Sequence, residues 1–442
     1  MQAILSFEQA PPMAAPFRFF LTAPLFALLA GLLLLVAGPE ALLSRWTPGA
    51  LALTHLVALG FVLQVMLGAM IQILPVVAGA NLSHPLWVAR IVHALLLAGV
   101  LCLAGSFLGW FSGFVPAAAL LGAGVGCFIL MAALSLRGVP PTSATITGLK
   151  VALLSLAAVL ALGIALAGGM GGSWSLPMVE TIHAHAGWGL AGWGLGLLSA
   201  VAYVVVPMFQ LTPLYPHWFS RFFGGSLLAV AVLATPAVLF GHDVLAGLLQ
   251  ALLVWIAAVF CAMTLWLQAR SKRARPDTTQ RLWRGAMQSG LAACALWALV
   301  ALVPALGERD EWPLLFGVLV LAGGYMSVII GMLYKVVPFL VWLHLQNRGR
   351  GKVVAPNMKA VLAEAPMQRQ MRVHFAACAL LAGGVLWPAG LARPAGLAMV
   401  ASAVLLAINL LSALGVYRRH AALVDARLAE LGLAEAGVGR RA

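Results

Sequence analysis

Uninterrupted apolar runs of about 20 residues or more recur from one end of the chain to the other. One of them reads "ETIHAHAGWGLAGWGLGLLSAVAYVVVPMF" over 180–209. A run of this length can cross the hydrocarbon core of a bilayer as a helix, because a helix pairs its backbone groups within the segment. The runs are too long and too uniformly apolar for the strands of a membrane barrel. The sequence therefore predicts an all-α integral membrane protein.

The apolar runs predict about twelve transmembrane helices in a single membrane domain, 1–442, with 418–442 as a cytoplasmic tail. The chain is 63% hydrophobic and only 9% charged, which excludes an ordinary soluble domain. We expect no cleavable signal peptide, because no basic start and short apolar core precede the first run. The predicted spans are 19–37, 50–78, 85–109, 114–136, 148–168, 179–209, 220–240, 244–270, 283–305, 313–344, 372–391 and 394–417.

The positive charge is concentrated on one side of this twelve-helix arrangement. Of the 26 Lys and Arg residues, 22 fall on that side, Arg45, Arg309 and Arg393 fall on the other, and Lys335 lies within a helix. The positive-inside rule places both termini in the cytoplasm and predicts a multi-pass protein of the bacterial inner membrane. The basic loops thus indicate contact with the lipid bilayer, and we expect no nucleic-acid partner despite the net charge of +14.

The chain also repeats itself at a regular interval. Pro75, Pro207 and Pro338 end similar apolar stretches, and the spacing from the first to the second is nearly equal to that from the second to the third. Two sets of small residues superpose at the same offsets: Gly60, Gly192 and Gly323, then Gly68, Ala200 and Gly331. Matches at one period indicate an internal repeat. We predict three pseudo-repeats of four helices, at about 19–136, 148–270 and 283–417, all with the same orientation in the membrane.

Three histidines lie in the second and sixth predicted helices, which are equivalent in this repeat. When the prolines are aligned, His185 lies two positions further from its proline than His55 does, and His183 lies a further two positions out. At about 1.5 Å per residue, His55 and His185 differ in depth by roughly 3 Å, so their imidazoles could hold a haem iron between them. His183 projects to the opposite side of its helix from His185 and could serve a second metal or haem.

The faces beside these histidines also bear on the haem hypothesis. Below His185 lie Gly189, Gly192 and Gly196, whose lack of side chains could make room for a flat macrocycle. Below His55 the same face is apolar: Leu59, Val62, Met66 and Met70. The alternative is that the glycines serve close helix packing and that the histidines bind water at the membrane surface.

Four polar residues of the repeated helices outline a possible proton path: Gln72, Tyr203, Tyr334 and Lys335. Ionisable groups within a membrane are rare and often functional. Lys335 could equally extend its ammonium group to the nearby cytoplasmic interface, and the two tyrosines could be hydrogen-bonded core residues. All five cysteines lie singly within predicted helices, so neither disulfides nor a cysteine metal site is predicted.

The twelve helices, the threefold repeat and the histidines of helices two and six resemble subunit I of the haem–copper oxidases and nitric oxide reductases. That resemblance implies that His55 is a low-spin haem ligand and that His183 or His185 corresponds to a ligand of the active centre. The chain departs from that family in two helices. Its seventh helix, "SRFFGGSLLAVAVLATPAVLFG", has no adjacent His-His pair for copper, and its tenth helix has no His-x-His. The chain is also similar to NnrS-like membrane haem–copper proteins, which share a Phe-Arg motif matched by "PFRFFL" at 16–21.

The resemblance implies a membrane-bound b-type haem protein that handles electrons or a small gas such as nitric oxide or oxygen. It would carry one or two haem b groups on His55, His185 and His183, with copper as a further possible metal but without the usual copper site. A cytochrome or quinol could be its electron donor, and its activity could be that of a haem-dependent oxidoreductase. Two alternatives stay open: a cofactor-free transporter and a non-catalytic metal-handling or assembly subunit. No hydrolase or kinase motif occurs in the sequence.

Overall fold

The structure is a computed structural model that describes residues 9–349 and 352–431, and within these residues the secondary structure is helical, with no strand. Twelve long helices account for most of it. We number them α1 (Ala14–Ala37), α2 (Pro48–Ala78), α3 (Pro85–Phe107), α4 (Phe114–Leu136), α5 (Ala144–Met170), α6 (Met178–Gln210), α7 (His217–Leu239), α8 (Asp243–Ala269), α9 (Thr278–Leu302), α10 (Glu311–Arg348), α11 (Glu364–Leu386) and α12 (Pro388–Glu430).

Eleven of these helices are long and apolar enough to cross a membrane. Among the described residues, α11 is the long helix outside that set, and its first turns carry Glu364, Arg369 and Arg372. An all-helical protein with many membrane-spanning helices, and hence a lipid bilayer environment, is therefore confirmed.

The boundary between the last two helices differs from the prediction. The pattern placed it after residue 391, but α11 ends at Leu386, and Trp387 takes a non-helical conformation before Pro388 opens α12. A proline disfavours helical geometry in the residue that precedes it, and it is tolerated in the first turn of a helix. The apolar pattern across 387–392 hides this break.

The last helix also extends beyond the predicted span, which ended at residue 417. It continues to Glu430, and Ala421, Val424 and Leu428 are buried along this extension. Arg348 at the end of α10 forms a two-pronged pair with Asp425, donating at 2.7 Å and 2.5 Å. Apolar burial and this charged pair hold the first part of the predicted tail as an ordered helix. The remainder of the predicted tail, 432–442, lies outside the described residues.

The three repeated helices each contain a π-helical segment at the same register. The segments are Leu56–Leu63 in α2, Trp188–Leu195 in α6 and Val318–Met326 in α10. Relative to the aligned prolines, the first two segments begin at the same position and the third begins one position earlier. π-helices are rare, and they occur often at functional sites. Three at equivalent positions are therefore a structural counterpart of the sequence repeat.

The aligned small residues lie where each repeated helix meets the long helix that precedes it, which is the first helix of its predicted unit. Gly60 contacts Phe26 of α1, Gly192 contacts Ser155 of α5, and Gly323 contacts Ser289 of α9. The second set behaves in the same way, with Gly68 against α1, Ala200 against Gly148 of α5, and Gly331 against α9. Small residues at these positions allow the paired helices to approach closely.

The repeated helices are among the most deeply packed of the bundle. In the most apolar stretch of α2, 72% of the residues are buried, and in α6 the fraction is 61%. The value is 50% for α10 and for α1, and it is lower in the remaining membrane-spanning helices of the described chain. The π-helical segments of α2 and α10 also contact each other. Side chains that α2, α6 and α10 direct inward therefore reach the middle of the bundle.

Candidate functional site

His55 and His185 come together although they lie in different thirds of the chain. His55 ends the first α-helical part of α2, and His185 lies in the first part of α6, just before the π-helical segment. Their imidazoles are close enough to interact electrostatically. Both side chains are partly buried. The two histidines that the sequence selected as a pair thus lie within range of an electrostatic interaction.

Each of these imidazoles has one ring nitrogen held by a backbone carbonyl. Nδ1 of His55 lies 2.8 Å from the carbonyl oxygen of Leu51, and Nδ1 of His185 lies 3.1 Å from that of Val159 in α5. Each Nδ1 therefore donates its proton, which leaves Nε2 as the nitrogen with a free lone pair. Neither Nε2 has a hydrogen-bond partner among the described residues. This is the arrangement expected of a metal-ligating histidine, so the donor set fits a haem iron.

Packing around the two rings fixes their orientation. The His55 ring lies 4.9 Å from the ring of Phe107, between centroids and at an angle of 31°. His185 lies against Gly163 of α5, where an added Cβ would be 3.1 Å from Cε1 of the imidazole. The absence of a side chain at Gly163 therefore provides the space in which the His185 ring lies. Orientation by both hydrogen bonding and packing is what a preorganised ligand needs.

His183 points elsewhere, as its position two residues before His185 predicts. Its side chain is exposed, and its Nε2 lies 3.3 Å from Nη2 of Arg45. Arg45 also stacks over Trp46, with 4.2 Å between the guanidinium carbon and the ring centroid. A guanidinium donates hydrogen bonds only, so it occupies the lone pair of His183 that a metal would need. The structure does not bring His183 to the His55–His185 pair.

The glycine face below His185 is only partly open. A Cβ at Gly189 would make one ordinary contact, 3.4 Å from a methyl group of Val159. At Gly192 it would lie 2.9 Å from the Trp188 ring and 3.1 Å from Cβ of Ser155. Gly192 therefore serves close packing against α5, as the alternative explanation of the glycines proposed. Gly189, and Gly196 further along the face, lack such a close neighbour.

Lys335, one of the residues of the predicted proton path, forms an ion pair. Its Nζ lies 2.7 Å from Oδ2 of Asp277, which also pairs with Arg273 at 3.2 Å. Asp277 caps α9, because its other carboxylate oxygen accepts a hydrogen bond from the backbone N–H of Gln280. The ammonium group thus extends to the end of a neighbouring helix, which supports the interpretation that Lys335 reaches toward an interface.

The other three path residues lie in separate surroundings. The Tyr334 hydroxyl donates to Oε1 of Gln370 at 3.0 Å and accepts from Nδ2 of Asn409 at 2.9 Å. Tyr203 packs edge-on against the ring of Tyr215, with centroids 5.2 Å apart. The amide oxygen of Gln72 is buried and has no hydrogen-bond partner within 9–349 and 352–431. Across this described part of the chain, these contacts show no series of hydrogen bonds joining the four residues.

One buried histidine stands out that the sequence did not single out. His374 of α11 is only 3% exposed, and its Nε2 lies 2.9 Å from the Ser327 hydroxyl of α10. Its Nε2 is also 3.7 Å from Sγ of Cys378, one helical turn further along. The spacing "HFAAC" in 374–378 is the signal that could have identified this pair, since residues four apart share a helix face.

Comparison with known proteins gives no match: the chain fits no protein-family model and is similar to no curated protein. Within the described residues, no three side chains of His, Cys, Asp and Glu are grouped as a metal site.

Proposed function

We propose that this chain is a membrane-bound b-type haem protein in which His55 and His185 would hold the haem iron. The observation that carries the proposal is the hydrogen bonding of the two imidazoles. Each ring donates Nδ1–H to a backbone carbonyl and keeps Nε2 free, and the two rings are close enough to interact electrostatically. Histidines that serve only packing have no need to leave the same ring nitrogen free in both helices. The proposal includes the oxidase-like plan of twelve spans, with both termini in the cytoplasm.

The architecture supports the proposal. The π-helical segments and the glycine contacts recur with the period of the sequence repeat, as three parallel units of four helices would produce. Such segments change the face that a helix presents, and in α2 and α6 they begin within three residues of the proposed ligands. In this arrangement the two ligands belong to equivalent helices of neighbouring units.

The ligand pair favours electron transfer over the handling of a gas. A b-type haem supplies a one-electron redox couple when it is bound. Because His55 and His185 would both hold the iron, a gas could bind only if one histidine were released. The carbonyls of Leu51 and Val159 hold the rings in place and increase the basicity of Nε2. Phe107 and Gly163 restrict rotation of the rings, so this part of the protein would hold both ligands in a fixed orientation.

The principal alternative is a transporter without a cofactor, and the spectrum of the purified protein distinguishes the two. We expect a haem Soret band and an α band after reduction with dithionite, and a pyridine assay that reports haem b. His55→Ala and His185→Ala should each abolish or shift these bands. The matched controls are His183→Ala, two residues from His185 on the same helix, and His217→Ala at the start of α7. Both should leave the spectrum unchanged.

Two results would overturn the assignment. A colourless protein, purified from cells with ample haem supply, would favour the transporter. A normal spectrum in both ligand variants would mean that the iron is held elsewhere. Elution of each variant as the same single species on gel filtration separates loss of a ligand from loss of the fold.

A further inference from the structure

A small cavity lies among α1, α2, α10, α11 and α12, away from the His55–His185 pair. Its volume is about 20 Å³, which is room for a single water molecule or ion. Its lining includes Phe61 of the first π-helical segment and Met326 of the third. Nearly all of the lining residues are buried, so a group held there is shielded from solvent and lipid.

Four of the lining side chains carry soft donor atoms or imidazole nitrogen: Met326, His374, Cys378 and Met399. The two methionines come from α10 and α12 and are 6% and 9% exposed. The histidine and the cysteine come from adjacent turns of α11. Three helices thus direct two thioethers, one thiol and one imidazole into the same space, a set that suits soft metal ions.

The distance between the imidazole and the thiol fits a shared metal ion. Nε2 of His374 and Sγ of Cys378 are 3.7 Å apart. With metal–nitrogen and metal–sulfur bonds of about 2.0 and about 2.3 Å, two ligands at an angle of about 120° are roughly 3.7 Å apart. A tetrahedral angle of about 109° gives roughly 3.5 Å, so the pair is already near the separation that a four-coordinate ion requires, without movement of α11.

The charge of the residues around the cavity favours a monovalent metal ion over a divalent one. No Asp, Glu, Lys or Arg is present among the described residues that line it. A Cys378 thiolate would neutralise a monovalent ion, whereas a divalent ion would leave a net positive charge in a medium of low dielectric constant. We propose that this cavity is a binding site for a soft monovalent metal ion, Cu(I), with His374, Cys378, Met326 and Met399 as its ligands.

Ser327 has an alternative partner when His374 binds the ion. Its hydroxyl lies 2.9 Å from Nε2 of His374, and it also lies 3.4 Å from the carbonyl oxygen of Ala322. On metal binding, the serine can donate to that carbonyl and release Nε2. Beside the cavity, Gln370 donates to the hydroxyl of Ser402, another lining residue, at 3.1 Å. This hydrogen bond connects α11 with α12 and stabilises the wall of the site.

The test is a titration of the reduced protein with Cu(I) in competition with a chromophoric Cu(I) chelator. We use the His55→Ala/His185→Ala protein, so that the result is independent of the haem proposal. One equivalent of Cu(I) should be retained, and Cys378→Ser, His374→Ala and Met399→Leu should each weaken binding by at least about tenfold. Cys127→Ser, which removes a cysteine of α4 outside the cavity, should bind as before.

X-ray absorption of the copper-loaded protein provides a second measurement. We expect Cu–S distances of about 2.2–2.3 Å and a contribution from one imidazole, which disappears in His374→Ala. Retention of copper by Cys378→Ser with unchanged affinity would overturn the proposal, and so would binding of Zn²⁺ in preference to Cu(I). Failure to retain copper against the chelator would overturn it as well, and the cavity would then be a site for water alone.

Discussion

The Tyr325 hydroxyl donates a 2.5 Å hydrogen bond to the Leu190 carbonyl, and it thereby joins the π-helical segment of α10 to that of α6. The ring of Tyr325 lies over Gly194, where an added Cβ would be 2.7 Å from the hydroxyl oxygen and 2.8 Å from Cζ. The π-helical segments of α10 and α6 are thus joined through one tyrosine and one glycine.

Gly194→Ala should therefore destabilise the protein, because the new methyl group displaces the Tyr325 ring and weakens its hydrogen bond. We expect a loss of about 1–3 kcal/mol in the free energy of unfolding, measured in mixed detergent and SDS micelles. Gly187→Ala is the matched control in the same helix, since a Cβ there meets no atom within 4 Å. Equal stability of the two variants would contradict the close packing of Tyr325 on Gly194.

The contact between α1 and α2 gives a second prediction. A Cβ at Gly68 would lie 2.9 Å from Cβ of Phe19 and 3.2 Å from the Pro16 carbonyl oxygen, which cannot rotate away. Gly68→Ala should lower the unfolding free energy by about 1–3 kcal/mol. Gly126→Ala in α4 has open space around its new methyl group and should be neutral or slightly stabilising. A neutral Gly68→Ala would mean that these helices are further apart than the structure shows.

Asp277 and Lys335 give a third prediction. Asp277→Asn keeps a good helix cap for α9 but removes the charge that faces both Lys335 and Arg273, so the double variant with Lys335→Gln isolates the Lys335 pair. We expect a loss of about 1–3 kcal/mol for Asp277→Asn and for Lys335→Gln, and a smaller loss in the double variant than the sum of the two. Additive effects would show that the residues act independently, as a proton-carrying Lys335 without a structural partner would.

The packing of the His185 ring against Gly163 gives a fourth prediction, which depends on the proposed haem. Gly163→Ala brings a methyl group to 3.1 Å from Cε1 of the imidazole, so the ring must shift by a few tenths of an ångström. We expect haem content close to that of the parent protein but a changed midpoint potential and changed g-values in electron paramagnetic resonance. Gly126→Ala is again the control. Unchanged values in Gly163→Ala would argue that His185 is not a ligand.

The sequence predicts the parts of the fold that depend on length and regular geometry. Apolar runs indicated the helices, and the offset of the prolines indicated that α2, α6 and α10 are equivalent. The opposite directions of His183 and His185 were predictable because Met178–Gly187 is a regular α-helix, in which residues two apart point to opposite sides. His183 accordingly contacts Arg45, and His185 contacts Val159.

Prediction fails where the helices stop being regular. Gly189, Gly192 and Gly196 share a face in an α-helix, whereas across the π-helical segment Trp188–Leu195 the last of them turns away from the neighbour of the first two. Gly192 consequently contacts α5, while Gly196 lies nearest Leu227 of α7. Nothing in the residue types of Trp188–Leu195 specifies the wider turn, so the predicted bare face was partly wrong.

The sequence also does not reveal which residue each polar side chain inside the bundle contacts. Lys335 and Asp277 are 58 positions apart, and the cavity lining of α10, α11 and α12 depends on how three helices rotate against each other. His374 therefore becomes a candidate only through its burial and its distance to Cys378.

The bond between Tyr325 and Leu190 has a consequence for biosynthesis. The two residues are 135 positions apart, so α6 leaves the ribosome well before the tyrosine that secures its irregular segment has been made. During that interval α6 lies in the bilayer with only the preceding helices as neighbours. It reaches its final shape when the last third of the chain has been inserted. Translation that stops before α10 should thus leave a nascent product whose sixth helix is exposed to degradation by membrane proteases.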